Sequence, residues 1–440
     1  MSEIRNKLLA TENLDPKAQS LLLQYVLVDS IRLVAFNISS MFIILFLLDT
    51  LESTEVGILF AVSYLILTLI DYPTGVLGDL IGYKKVMMLA YFFHIISFIL
   101  LIFSETFVPL LFYSACSAIA SSQESGALES WFDNNYRMFT QATDPERQIY
   151  KAFQARISIL IYALSGLSFI AGGMIAQYLS RKFLFGVSLF LIILVFILII
   201  GVIKDYNSFD QSDFTMRVYF SQFLGGFRFL FSQKGILLFF VGTTIIWAAN
   251  NSIWVNFLLF PIYEGYSGGQ DHTTAMFRAI IFASGVLWQL FIVKYINKLT
   301  RIKLWIFITT AFSNVIFFFA IFLYYSWFPP ITFDLMLLLG LFIVFQLPGM
   351  WEPLEFILRN RLNLDLVPDN IRNAVYSLLP TLTTLIGIPG ALIGGYYLKY
   401  IGFAETVLFT SLFSGLGVLL TGVGLLWLPE IREQIKKERN

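Results

Sequence analysis

Apolar runs about as long as a bilayer is thick recur along this chain, separated by short polar stretches. A helix needs about 20 predominantly apolar residues to cross the hydrocarbon core. Twelve segments meet that length: 21–48, 55–74, 84–104, 107–132, 155–179 and 182–203, then 235–260, 274–296, 303–325, 331–357, 372–398 and 404–428. One polar stretch, Lys204 to Lys234, is much longer than the others and splits the spans six and six. Within it Phe220, Phe223, Phe227 and Phe231 recur at helical spacing. That periodicity predicts an amphipathic helix lying on the membrane surface or against the bundle. The expected organisation is an all-α membrane protein: a six-helix bundle over 1–203, an amphipathic linker over 204–234 and a second six-helix bundle over 235–440.

Composition agrees. The chain is 58% hydrophobic and 13% charged, where soluble domains carry about 25% charged residues. The formal net charge is zero, which leaves no basic footprint for nucleic acid. One cysteine, Cys116, excludes a disulfide framework within the chain, and the two histidines, His94 and His272, lie far apart in sequence. No metal or cofactor is expected. The first twenty residues are polar and lack an apolar core with a cleavage site, so no cleaved signal peptide is expected.

Charge bias sets the expected topology. With both ends inside, 24 of the 29 Lys and Arg fall in inner segments and three, Arg181, Lys182 and Lys399, in outer loops. By the positive-inside rule both termini are cytoplasmic, in a multi-pass protein of the cell (inner or plasma) membrane. Arg181-Lys182 is a local exception. An internal repeat supports two halves. Gly172-Gly173 with Tyr178 matches Gly394-Gly395 with Tyr400 at an offset of 222 residues. Close to that offset, Gly126-x-x-Glu129 meets Gly349-x-x-Glu352. Transporter folds are built from such repeats.

Between the second and third spans stands Asp71-Tyr-Pro-Thr-Gly75-Val-Leu-Gly78-Asp79-Leu-Ile-Gly82-Tyr-Lys84-Lys85. Its density of Gly, Pro and charge predicts a very short turn at which two helices approach closely. This stretch resembles the signature loop of the major facilitator superfamily, with Leu80 standing where that family has Arg or Lys. Ser125-Gly126-Ala-Leu-Glu129-Ser-Trp131-Phe-Asp133 resembles the fourth span of bacterial and archaeal exporter-like members, and Ile371 to Ser377 the start of the family's eleventh span. The resemblance implies two pseudo-symmetric bundles and a gating role for Asp79 within the frame of Asp71, Gly75, Gly78, Gly82, Lys84 and Lys85. The corresponding turn of the second half, Tyr295 to Lys303, keeps the basic charges without the Gly frame or the acid.

Ionisable residues within spans are costly and face cavities or partners. Asp29 and Arg32 are i,i+3 on the first span, as either a cavity pair or a structural ion pair. Glu129 and Asp133 are i,i+4 on the fourth. On a continuous helix Glu124 lies about 140° around from Glu129. Asp133 is expected near Lys84, Lys85 or Arg156, in gating or helix docking. Glu124, Glu129 and Asp29 are the proton-coupling candidates; the bland alternative is hydrogen bonding to neighbouring helices. On the tenth span Pro348 and Pro353 flank Glu352 and are expected to kink or break the helix. Asn250, Asn251 and Trp254, with Gln289, Gln346, Trp351, Glu352 and Arg32, are the substrate-cavity candidates. Aromatics are abundant in this chain, so a tryptophan among them reads by default as lipid-facing or packed rather than as a binding residue. His94 reads as a packed residue of the third span.

The sequence has no G-x-x-x-x-G-K-[ST], H-E-x-x-H or G-x-S-x-G, so direct ATP drive and membrane hydrolase chemistry lack support. The expectation is a monomeric, non-enzymatic secondary transporter of a small molecule working with H⁺ in the lipid bilayer. The fourth-span resemblance leans it toward efflux of amphipathic compounds by antiport. Uptake symport of a sugar, organic acid or amino acid is the alternative, and a membrane sensor or lipid scramblase the reading from another class.

Overall fold

The computed structural model describes residues 14–124, 126–204, 224–296, 299–367 and 372–428, with the side chains of 71–80 and some other helical positions outside the description. Those residues are helical almost throughout, and eleven helices among them are long and apolar enough to cross a membrane. The remaining expected span, the fourth, is split into Phe107–Glu124 and Ala127–Thr140. Gly126 makes the break with φ 72, a left-handed conformation that glycine adopts at little cost.

Three expectations change. The stretch from Asp71 is not a loop: the second helix runs Ser53–Ile81, and the turn is confined to Gly82, with φ 93. A proline within a membrane helix is tolerated where neighbouring groups satisfy the freed backbone. The tenth span does break, but at Phe345, between helices Leu335–Val344 and Gln346–Leu366. The ring of a helical proline meets the carbonyl four residues earlier, which for Pro348 is that of Val344, the last residue before the break. Pro353 stays inside the second piece. In the linker, Phe220 and Phe223 lie outside the described residues; a helix over 224–230 places Phe227 against the core, and Phe231 falls beyond its end.

Among the described residues two segments have π-helical hydrogen bonding, Ala249–Leu258 in the seventh span and Ala311–Ile316 in the ninth. Such widened turns occur often at functional sites, because they redirect side chains out of the α register.

The chain forms two compact units. One comprises Met1–Thr50, Leu69–Ser212 and Asp271–Ala279; the other Leu51–Thr68, Asp213–Gln270 and Ile280–Asn440. Each therefore contains one segment from the other half of the chain. In the first unit, a Cβ on Gly173 would run into Ala275 and the Asp271 carbonyl at the start of the eighth span. In the second, a Cβ on Gly395 would run into the Ser53 carbonyl and Gly57 at the start of the second. Gly172 lies as tightly against the Ile38 carbonyl, and Gly394 less tightly against the Phe257 ring. Repeated glycines thus seat repeated partners.

Tyr25 stacks on Phe132 at 4.2 Å in the core of the first unit, where Trp131 and Phe153 are fully buried. Phe239, Phe240, Leu358 and Leu362 centre the core of the second.

Candidate functional site

The first unit holds a buried ionic network built from three spans. Arg32, on the helix Pro16–Asn37, donates through Nε and Nη2 to Asp29 Oδ1 at 2.8 and 2.6 Å. Its Nη1 donates to Glu124 Oε1 at 3.2 Å, and Nη2 stands 3.6 Å from Glu129 Oε1. The Tyr91 hydroxyl also donates to Glu124 Oε1, at 3.2 Å, and His94 Nε2 lies 2.8 Å from Glu124 Oε2. Asp29 and His94 are buried, whereas Glu129 is half exposed. Phe36 packs on the His94 ring at 4.7 Å.

The break in the fourth span makes this convergence possible. A continuous helix would hold Glu124 and Glu129 about 140° apart. With Glu124 ending one helix and Glu129 in the first turn of the next, both reach Arg32. The angle expected from the sequence therefore does not apply. Glu129 also stands where a helix N-terminus favours negative charge.

His94 is packed, as expected, but it is also a polar partner of Glu124, which the sequence reading missed. Its spacing to Tyr91, three residues on one helix face, was the available signal.

Asp133 takes partners other than those expected. It pairs with Arg137 at 3.0 Å and forms a very short contact with Arg147. Arg147 has φ 57, so the chain turns there and brings its guanidinium back toward the fourth span. Lys84 donates to the Ile200 carbonyl at 2.7 Å, and Arg156 is exposed. In the same turn Asp144 accepts from the Tyr136 hydroxyl at 2.7 Å and from the backbone N–H of Gln148 and Tyr150. Burial opposes its charge, but these donors outweigh burial and hold its carboxyl below the usual range. The side chains of Asp71, Gly75, Gly78 and Asp79 lie outside the described residues.

In the second unit the π-helical segments bring Asn250 Nδ2 to Asn314 Oδ1 at 2.6 Å. Asn251 is exposed, its amide bonded to the Trp247 carbonyl. Trp254 departs from its expected cavity position. It is buried against Phe317, Phe318 and Phe345, because the widened turn directs it into the bundle. Gln346 accepts from Trp288 Nε1 at 3.0 Å, and Trp351 packs against Phe312. Gln289 is half-buried on the eighth span, and Glu352 is exposed on the tenth. Glu355 and Arg359 form a buried i,i+4 pair at 2.7 Å.

The basic residues that stood out against the charge bias are all neutralised. Arg181 bridges Asp49 at 2.5 Å and Asp271 at 2.7 Å, Lys182 pairs with Glu105, and Lys399 with Glu52. Arg278 lies over the Phe169 ring and donates to Ser40. Among the described residues no group of three or more His, Cys, Asp or Glu could hold a metal ion.

No family model matches the sequence, and no curated protein does either. Solved structures do match in fold. The nucleoside transporter NupG aligns with TM-score 0.72 and 14% identity, covering 93% of this chain and 100% of that chain. A POT family transporter in complex with 5-aminolevulinic acid aligns with TM-score 0.66 and 13% identity, covering 93% and 96%. A D-xylose-proton symporter aligns with TM-score 0.65 and 12% identity, covering 94% and 99%. At these identities the likeness is one of fold. The chain is an all-α multi-pass membrane protein with the two-bundle major facilitator fold shared by these transporters.

Proposed function

We propose that this protein is a secondary transporter that moves a small molecule through the bilayer by alternating access, coupled to H⁺. The observation that carries the reading is the Arg32–Glu124–His94 network. One guanidinium contacts three carboxylates inside a membrane bundle, and the most central of them also meets an imidazole. Charge in the membrane is costly and marks ion or substrate pathways. A proton on Glu124 would cancel its attraction to Arg32 and let the network rearrange, which biases one facing of the carrier over the other. Glu129 and Asp29 would hold Arg32 in place while Glu124 changes state. The exchanged segments at the starts of the second and eighth spans would release and re-form in each cycle, with Asp79 acting at the gate.

Two directions of transport have support. Exposed Glu352 and the Asn250–Asn314 pair suit a polar solute, and two similar structures are described as a nucleoside transporter and a D-xylose-proton symporter. These favour uptake symport. The exporter-like fourth span favours efflux of amphipathic compounds by antiport. We place both termini on the cytoplasmic side of the cell membrane, from the charge bias, and take the working form to be a monomer.

Purified protein in liposomes with an imposed pH gradient and an internal pH dye tests this reading. Nucleosides, sugars, amino acids and cationic dyes are added in turn. Solute-dependent proton movement supports it, and its sign separates symport from antiport. Proton-independent solute flux would remove the coupling, and a folded protein that moves none of these solutes would favour a sensor or a lipid scramblase.

A further inference from the structure

Between the seventh, tenth and eleventh spans, wholly within the second unit, lies a cavity of about 200 Å³. Phe239 and Leu379 give it apolar walls. Phe356 and Asn360 also line it and are exposed, so it opens beside the tenth span. None of Asn250, Gln346 and Glu352 lines it, so it is separate from the residues assigned above to a transported solute. Among the described residues that line it, Arg359 is the one ionisable side chain.

Arg359 is 6% exposed, and part of its guanidinium is already engaged. Its face lies over the Trp247 ring at 4.8 Å, and Nη1 donates to Glu355 Oε1 at 2.7 Å. Glu355 is buried and does not line the cavity. The pair is neutral overall, but it meets the cavity at its positive end. Nε and Nη2 have no hydrogen-bond partner among the described residues, and both keep accessible surface.

Those two nitrogens form one edge of the planar guanidinium. Their N–H groups make a fork that matches the two oxygens of a carboxylate. The chain fills this edge elsewhere: Arg32 gives Nε and Nη2 to Asp29, and Arg181 gives Nε and Nη2 to Asp271. On Arg359 the same edge is unfilled and the residue borders a cavity. A guanidinium that is already paired can take a further carboxylate, as Arg32 takes Glu124 at 3.2 Å besides Asp29.

The rest of the wall limits the occupant. Thr243, Thr244 and Thr383 donate their hydroxyl protons to the carbonyls of Phe239, Phe240 and Leu379, one turn back on their own helices. Their hydroxyls are spent as donors, so the charge-assisted bonds fall to Arg359. An apolar cavity of about 150 Å³ holds benzene, so the volume here admits one ring or a short branched chain bearing a carboxylate. We propose that this cavity is a second ligand site, which takes small apolar monocarboxylates on the free edge of Arg359. Binding of this kind is independent of proton coupling and of the direction of transport.

Equilibrium dialysis of the full-length protein in micelles, with radiolabelled benzoate and no gradient, tests it. The expected result is saturable binding of one benzoate per chain. Unlabelled cyclohexanecarboxylate should displace it at least tenfold better than benzamide or benzylamine, which share its size without its charge. Arg359→Lys keeps the charge that balances Glu355 but loses the fork, and should weaken binding at least tenfold. Thr383→Phe fills the cavity from the eleventh span, leaves the ion pair intact, and should abolish binding; it decides the matter if Arg359→Lys folds poorly. No saturable binding to folded wild type, equal displacement by all three competitors, or unchanged binding in either folded variant would overturn the proposal.

Discussion

Arg32 and Glu124 meet at 3.2 Å although 92 positions separate them in the chain. The left-handed turn at Gly126, which caps the next helix, lets Glu129 reach the same guanidinium. Asp29 pairs with the same guanidinium from its own helix, and Glu129 from the helix after the break. Removing the cation therefore strands more charge than removing any one acid. Breaking a buried pair by deleting one partner costs about 3–5 kcal/mol. Arg32→Gln should lower thermal stability in detergent by several degrees more than Glu124→Gln. Equal melting points for the two variants would show that Arg32 is not the common partner.

Gly173 and Gly395 occupy the same place in the two halves of the repeat. Each lies against the opening turn of a span from the opposite half of the chain. A side chain at either position must displace backbone, and overpacking of this kind costs about 1–3 kcal/mol. Gly173→Val and Gly395→Val should each reduce transport strongly, with a smaller effect from Gly166→Val, where a Cβ meets nothing within 4 Å. Comparable transport in all three variants would contradict the seating role.

Asp144 supplies a pH-dependent element outside the membrane spans. Its carboxyl sits below the ordinary value of 3.8 in the folded protein. A depressed folded pKa adds stability that is present above the unfolded value and is lost as pH falls through the folded one. Asp144→Asn should therefore lower the melting temperature at pH 7, and the gap to wild type should close as pH falls below about 3.8. A gap that is constant from pH 7 to pH 3 would mean that charge at Asp144 contributes nothing.

Asp79→Asn tests the gating role that the loop resemblance implies. Transport should fall by an order of magnitude or more while membrane insertion and melting temperature stay near wild type. Normal transport would remove the gate from the account.

Much of the architecture was legible in the sequence, because the bilayer imposes a length on every span. The acids and Arg32 stood out for the same reason. Their convergence did not. Gly126 lies in a mostly polar stretch, Ser121 to Ser130, inside the span 107–132 that reads as one continuous helix. The π-helical turns were equally silent, since one extra residue in a turn barely alters an apolar pattern, yet that residue sent Trp254 into the bundle rather than toward a cavity. Asp71 to Gly82 erred in the other direction. Pro and Gly signal turns in water, but a membrane helix carried them to Ile81. His94 was hidden by its ordinary setting: only the fold brings it to Glu124.

The most direct test of the account is solute-coupled proton flux in liposomes, measured side by side for wild type and Glu124→Gln with a solute that the wild type carries. The account predicts that wild type moves protons with solute. It predicts that Glu124→Gln exchanges solute across the membrane at a comparable rate but moves no protons. A Glu124→Gln protein that still couples solute to protons would contradict it and return the Arg32–Glu124 contact to a purely structural role.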